Sequence, residues 1–492
     1  MVLSQKTYHV LEDIKFFFTD SGAPPNSKDY TTLIAIHGFG VPGATFEAIQ
    51  SHAHTYNLRI ISLNRRDYAG SSPVSDEELA ALGGKDESRA REFFDNMGLH
   101  LALFIKKFVE EEGIPPILES ENGRGRGGIA VMGWSLGSMT AIAPFGNPGI
   151  MSDAVYQVLV NAFDADPAFS ALGLSPPSNV NAAKLYSPGA DPSVKGPADA
   201  YKAFIEWVSS HFQYTWQDGL PTPESIEEAG SLKRTESSVA DSWTESDFEK
   251  YTDPKSTTRA DAAIFAWSGI VKEMAQKALF DEKTASSFFP KLSITLLYAP
   301  HSIWMCLFAY METKRLYEEH TGRDEAIRPI KFIGLDEGDH FAHFTQPEQF
   351  LQTINSKDYT TLVAIHGFGS PGATFEKIQS HAHAYNLRIV ALDRRDYAGS
   401  SPVSDEELAV LSGNDISRAR EFFDNMGPHL VLFITKLIEE EAIPPILAPD
   451  NGKPRSGIAV MGWSQGEMTA IAPFANPGTV DDATYLVLEN IL

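Results

Sequence analysis

The apolar run Gly128-Ile-Ala-Val-Met132 leads without a break into Gly133-Trp134-Ser135-Leu136-Gly137. A strand that turns straight into a helix through G-x-S-x-G has no room for side chains at the flanking positions, and it lifts the serine hydroxyl to the top of a sheet. That constraint makes Ser135 a nucleophile candidate. A five-residue pattern of this kind also recurs by chance, so its weight rests on what accompanies it.

Two further elements occur in the chain order that such a nucleophile needs. Upstream, the apolar run Thr32-Leu-Ile-Ala-Ile36 enters His37-Gly38-Phe39-Gly40, a turn whose backbone N–H groups can face an oxyanion. Downstream, Ile330-Lys-Phe-Ile333 leads to His340 and then to Pro347-Glu-Gln-Phe350. An oxyanion turn, a serine elbow and a late histidine make an acyl-transfer constellation.

Between these points strands and helices alternate. Strands are expected at 31–36, 58–63, 128–132 and 155–163. Val10–Thr19 reads as short antiparallel strands or one hairpin arm, closed by the turn-forming Asp20–Pro25. Ser75-Asp-Glu-Glu78 fits a capping box. Phe93, Phe94, Met97, Leu101, Phe104 and Phe108 recur at three- and four-residue steps, the spacing of one helix face. Such alternation implies a mostly parallel sheet covered by helices on both faces. Residues 165–290 break the rhythm, being rich in Ser, Glu, Asp and Pro. They read as a helical cap inserted over the serine, with core at 1–164 and 291–354. Trp207, Phe212, Tyr214, Trp216 and Trp267 serve either as an apolar pocket lining or as the cap's own core.

On the HGFG turn, the Asn64-Arg-Arg-Asp67-Tyr-Ala-Gly70-Ser71 loop, the GWSLG elbow and the G-x-H…Pro-Glu-x-Phe ending, residues 1 to about 354 resemble an α/β-hydrolase of the esterase and lipase-like group. The resemblance implies Ser135 as nucleophile. It also implies His340 rather than His343 as base, from its spacing to Pro347. The backbone N–H groups of Phe39 and Leu136 would form the oxyanion hole. A serine at the elbow disfavours the epoxide-opening and dehalogenating branches. The orienting acid departs from the family pattern, because Ser293-Ile-Thr-Leu-Leu-Tyr-Ala299 is followed by Pro-His-Ser-Ile-Trp and no carboxylate. Asp164 in Asn161-Ala-Phe-Asp-Ala-Asp-Pro167 is taken first, with Asp336, Glu312 and a dyad without an acid left open.

Much of this region occurs twice. Asn26-Ser-Lys-Asp-Tyr-Thr-Thr32 returns as Asn355-Ser-Lys-Asp-Tyr-Thr-Thr361, and the two segments run in parallel without a gap. Ser135 maps onto Ser464 and His37 onto His366. A whole-domain period is not that of a solenoid, and no Gly/Ser or Pro-rich linker separates the copies. Residues 355–492 therefore read as a truncated duplicate of the N-terminal half of the core, lacking cap, late strands and catalytic histidine. A partial duplication, or two neighbouring genes merged in one chain, is preferred to a purposeful tandem design.

Charge and cysteine content narrow the class. Lys and Arg number 40 against 65 Asp and Glu, a formal charge of −25, which opposes a phosphate backbone or an anionic bilayer. Nucleic acid is therefore not expected as a partner. The single cysteine, Cys306, excludes an intramolecular disulfide, and no run reaches membrane-spanning length. A cytoplasmic enzyme without cofactor or metal, acting on a small acyl or ester substrate, is the expectation. His52 and His54, two apart on a helix, point to different sides and do not make a metal pair. Arg65, Arg66 and Asp67 are expected to form a structural ion pair behind the oxyanion turn, in preference to binding an anionic substrate. The favoured function is a serine hydrolase forming an acyl-enzyme in the first copy. The alternatives are an acyltransferase, lyase or carbon–carbon hydrolase on the same fold, and a non-catalytic binding module.

Overall fold

The computed structural model describes residues 2–117, 127–150, 155, 158–290, 292–323, 326–335, 337–355, 360–367, 369–379, 382, 387–413, 416–441, 443, 457–475 and 488–491. The chain divides into two compact units, Met1–Ile354 and Asn355–Leu492.

In the first unit the strands are β1 (Ser4–His9), β2 (Lys15–Asp20), β3 (Thr31–Ile36), β4 (Leu58–Leu63), β5 (Ile129–Trp134) and β6 (Leu159–Ala165). After a two-stranded ribbon of β7 (Trp216–Gln217) and β8 (Leu220–Pro221) come β9 (Ser293–Tyr298) and β10 (Ile330–Gly334). The main sheet runs β1-β2-β4-β3-β5-β6-β9-β10. β1 and β2 are antiparallel, and from β4 to β10 every pairing is parallel. The first hairpin turns earlier than its sequence implies. Val10 N–H donates to the Ile14 carbonyl at 2.8 Å, so the reversal lies at residues 10–14 and Lys15–Asp20 runs straight into the sheet. β6 likewise begins at Leu159 and extends to Ala165.

Both faces of the sheet are buried, as parallel strands require. Along β3, Leu33 and Ala35 join one apolar cluster with Ile60, Met132 and Trp134, while Ile34 and Ile36 join the opposite one with Ile61 and Val131. The second cluster is roofed by α3, following α1 (Glu47–His52) and α2 (Asp76–Gly83). α3 (Glu87–Glu112) is opened by the Asp86 side chain on the Ser88 and Arg89 N–H groups and closed by left-handed Gly113. Its Leu101, Phe104, Ile105 and Phe108 are buried there. The expected box at Ser75–Glu78 forms with both reciprocal bonds. α4 (Gly137–Ile142) follows β5 directly.

The segment between β6 and β9 is mainly short helices, with Pro197–Val208 and Ser268–Phe280 the longest. Its aromatics are not set apart as a separate core. Trp207 and Phe212 are continuous with the sheet cluster that holds Trp134 and Trp304. Trp216 packs on Tyr298 and Tyr310, and Trp267 donates to the Leu82 carbonyl.

The second unit holds a four-stranded parallel sheet ordered β12-β11-β13-β14, with β11 (Thr360–Ile365), β12 (Leu387–Leu392), β13 (Ile458–Gly462) and β14 (Leu488–Ile491). Val363, Ile365, Leu430, Ile434, Ile458 and Val460 form its core. Trp463 in this unit is 51% exposed, whereas Trp134 at the matching position of the first unit is 2% exposed beneath His340 and Phe341.

Candidate active site

Ser135 sits at φ 55°, in the left-handed region, between β5 and α4. A side chain is excluded on both sides of it. A carbon added to Gly133 would collide with Ser138 Cα, and one added to Gly137 with the Ile36 carbonyl. The strained turn is locked by Ser135 N–H donating to the Ala165 carbonyl at 3.0 Å and by Ser138 Oγ donating to the Gly133 carbonyl at 3.0 Å. The HGFG turn lies directly against it, since a carbon on Gly38 would stand 2.9 Å from Ser135 Cβ.

That turn is held from below and above. His37 is fully buried, and burial first, then Arg65, holds its ring well below the ordinary histidine range. The neutral ring places Nδ1 3.0 Å from the Gly38 carbonyl and accepts the Arg65 N–H on Nε2 at 3.0 Å. Gly40 N–H donates to the Tyr68 hydroxyl at 3.0 Å. Among the described residues, the backbone N–H groups of Phe39 and Leu136 meet no protein acceptor, which leaves them available to an oxyanion.

His340 is buried beside the elbow, its carbonyl accepting from Trp134 Nε1 at 2.8 Å. Its Nδ1 lies 2.6 Å from Oδ2 of Asp166. The carboxylate that the fold brings to His340 is thus Asp166 and not Asp164. The cause is local backbone geometry. Two residues apart on a regular strand share a face, but Asp166 lies just beyond β6 at φ 46° with its N–H on the Leu297 carbonyl. The left-handed step re-aims its side chain. Asp164, still in register opposite Gly133 and Leu296, is sealed inside, with Oδ1 free of any hydrogen bond. Of the other candidates, Glu312 pairs with Arg315 on the helix surface, and Asp336 lies outside the described residues. His343 is buried against Phe46 and Trp134 with no partner at Nε2.

Sequence reading also missed the groups that hold Asp166. Ala299 N–H donates to Oδ1 at 3.1 Å, and the buried Ser302 hydroxyl donates to Oδ2. Ser302 is tied in turn by the Tyr214 hydroxyl donating to its carbonyl at 2.9 Å. Cys306 Sγ stands 3.5 Å from His340 Nδ1, and burial pushes the thiol well up, so it stays protonated. The available signal was Asp166-Pro167, an Asp-Pro punctuation that ends the strand.

Arg65 and Asp67 pair across to the inserted segment rather than with each other. Arg65 Nη2 donates to Asp261 at 2.7 Å and to the Gly38 carbonyl at 2.9 Å, and the Tyr68 hydroxyl donates to the same carboxylate at 2.5 Å. Asp67 pairs with Arg259, and Arg66 with Glu78. The inserted segment also reaches Gly40, whose carbonyl accepts from the Tyr201 hydroxyl and from Asp253 N–H. Phe39 stacks its ring edge to Phe204 at 5.0 Å.

Asp164 carries a pH signature. Burial pushes its carboxyl up to about 7, opposed only by the Ser138 hydroxyl. A folded-state value above the unfolded one means stability present below about pH 4 and lost as pH rises toward 7. Asp164→Asn is expected to remove this loss, making the variant more stable than wild type at pH 8 than at pH 4.5. At ~1.4 kcal/mol per tenfold change in proton affinity, the ceiling is on the order of 4 kcal/mol. Urea denaturation at the two pH values measures it, and parallel curves for both proteins would refute it.

The alpha/beta hydrolase family model matches residues 33–353, and the chain belongs to that family. Its membership supports hydrolase chemistry on a small-molecule substrate. Among solved structures, the chain is similar to a bromoperoxidase from Bacillus anthracis at 14% identity, covering 71% of this chain and 98% of that one, TM-score 0.36. It is similar to a putative aryl esterase from Burkholderia cenocepacia at 12% identity, covering 72% and 97%, TM-score 0.38. The epoxide hydrolase CorEH shares 10% identity over 72% and 97%, TM-score 0.40. No curated protein sequence matches the chain. Among the described residues, no helix is long and apolar enough to cross a membrane.

Proposed function

We propose that the first unit is a serine hydrolase that cleaves a carboxylic ester or related acyl substrate through an acyl-enzyme, with Ser135, His340 and Asp166 as its triad. The observation that carries this reading is the 2.6 Å contact between His340 Nδ1 and a buried carboxylate, beside a serine held in the left-handed elbow conformation. A carboxylate acceptor keeps the proton on Nδ1, so Nε2 presents its lone pair and takes the Ser135 proton as Oγ attacks the carbonyl. Asp166 then stabilises the imidazolium, with Ser302 and Ala299 holding the carboxylate in place. The Phe39 and Leu136 N–H groups receive the oxyanion, and His340 returns the proton to the leaving group before water repeats the cycle. Residues 355–492, a truncated copy in this reading, add no second centre, and Ser464 is an ordinary hydroxyl.

A fluorophosphonate probe tests both halves of the proposal. Intact mass should show one adduct per chain, and peptide mapping should place it on Ser135. No adduct would favour a non-catalytic binding module, and an equal adduct on Ser464 would defeat the assignment of a single centre.

A further inference from the structure

A second set of ionisable side chains gathers beside the loops that carry His340 and Ser302. His211 comes from the inserted segment, just after the helix Pro197–Val208. His301 directly precedes Ser302, and Glu337 and Asp339 precede His340. The His211 and His301 rings stack at 4.1 Å. His301 Nε2 lies 3.3 Å from Glu337 Oε2, and His211 Nδ1 lies 3.9 Å from Asp339 Oδ2. One ligand atom each from His211, His301 and Glu337 fall within 4.8 Å of one another.

The protonation of His301 makes this cluster more than a surface coincidence. Its Nδ1 is 2.7 Å from the Phe212 carbonyl, which only accepts, so the ring proton of the neutral form sits on Nδ1. Nε2 then turns a bare lone pair toward a carboxylate. Two acceptors face each other at that contact, and only a cation between them, or a second proton on the ring, makes it attractive. A ring N–H given to a backbone carbonyl with the other nitrogen free is also how metal-ligating histidines are oriented. Two imidazoles and a carboxylate are the nitrogen and oxygen donors that zinc-like ions take.

We propose that His211, His301 and Glu337 bind a divalent transition-metal ion of the Zn²⁺ class, fastening the inserted segment to the two loops that carry Ser302 and His340. Stacked rings cannot both aim a lone pair at one point, so one of them turns to close the site. His211 is the one free to do so, because no hydrogen bond holds its ring among the described residues. The exposed Glu337 side chain swings in the same way, and Asp339 lies close enough to His211 to orient its other nitrogen. Three protein ligands leave a fourth tetrahedral position to water. The site is separate from the Ser135 chemistry and stands whether or not the esterase reading does.

The full chain, stripped with a chelator and dialysed, is titrated with ZnCl₂ by calorimetry. One equivalent should bind, and His211→Ala and Glu337→Gln should each weaken binding by at least about tenfold with unchanged far-ultraviolet circular dichroism. Co²⁺ should give visible ligand-field absorption without a thiolate charge-transfer band. Absence of binding overturns the proposal. Affinity unaffected in both variants overturns it as well, as does a thiolate band, which would put the ion on Cys306.

Discussion

Asp166→Asn is expected to lower turnover by about 10⁴, the scale seen when the triad carboxylate is made an amide and the histidine tautomer is lost, while the fold is kept. Asparagine tolerates the left-handed backbone that position 166 adopts at φ 46°, and its one amide oxygen keeps an acceptor for either the Ala299 N–H or the Ser302 hydroxyl, which bond to different carboxylate oxygens in the wild type. What it removes is the anion opposite His340 Nδ1. An amide can present either its oxygen or its NH₂ there, and the NH₂ would drive the ring proton to Nε2, where it blocks proton uptake from Ser135. Asp164→Asn serves as the contrast and should retain activity, because that carboxylate has no contact with His340. Steady-state kinetics on a p-nitrophenyl ester read both variants. Near wild-type turnover in Asp166→Asn, or collapse in Asp164→Asn, would return the orienting role to Asp164.

Asp261→Ala is expected to destabilise the first unit by roughly 3–5 kcal/mol, the usual cost of stranding one member of a buried ion pair. Arg65 is buried, and its Nε already lacks a partner. Removing Asp261 leaves the guanidinium with only neutral acceptors, and it also takes the acceptor from the Tyr68 hydroxyl. Tyr68 supports the Gly40 N–H and Arg65 the Gly38 carbonyl, so the damage reaches the oxyanion turn. Guanidinium denaturation gives the loss directly. A double variant, Arg65→Met with Asp261→Leu, should recover most of it, since replacing a buried pair by apolar groups is often neutral. A loss within about 0.5 kcal/mol, the range of ordinary surface changes, would show that the insert is not fastened through this pair.

The fold was legible because its signals are local. Alternating apolar runs and an amphipathic stretch from Phe93 to Phe108 required a parallel sheet with helices on both faces, and glycine on either side of Ser135 required a turn with no room for a side chain. The resemblance to the hydrolase family, through the spacing to Pro347, pointed to His340. The turn at residues 10–14 was not legible, because Val10-Leu-Glu-Asp-Ile14 carries no Gly, Pro or Asn and is a weaker turn signal than the Gly-Ala-Pro-Pro run at 22–25.

The sequence by itself determined the element order, the strained serine elbow and the presence of a late histidine, since each depends on sterics among residues a few positions apart. Tertiary structure alone decided which carboxylate meets that histidine and what grips the oxyanion turn. The His340–Asp166 contact spans 174 positions and the Arg65–Asp261 pair 196. Composition near Asp164 and Asp166 treats the two acids alike. A single left-handed residue past the end of β6 distinguishes them, turning Asp166 toward His340 while the regular strand keeps Asp164 sealed in the interior.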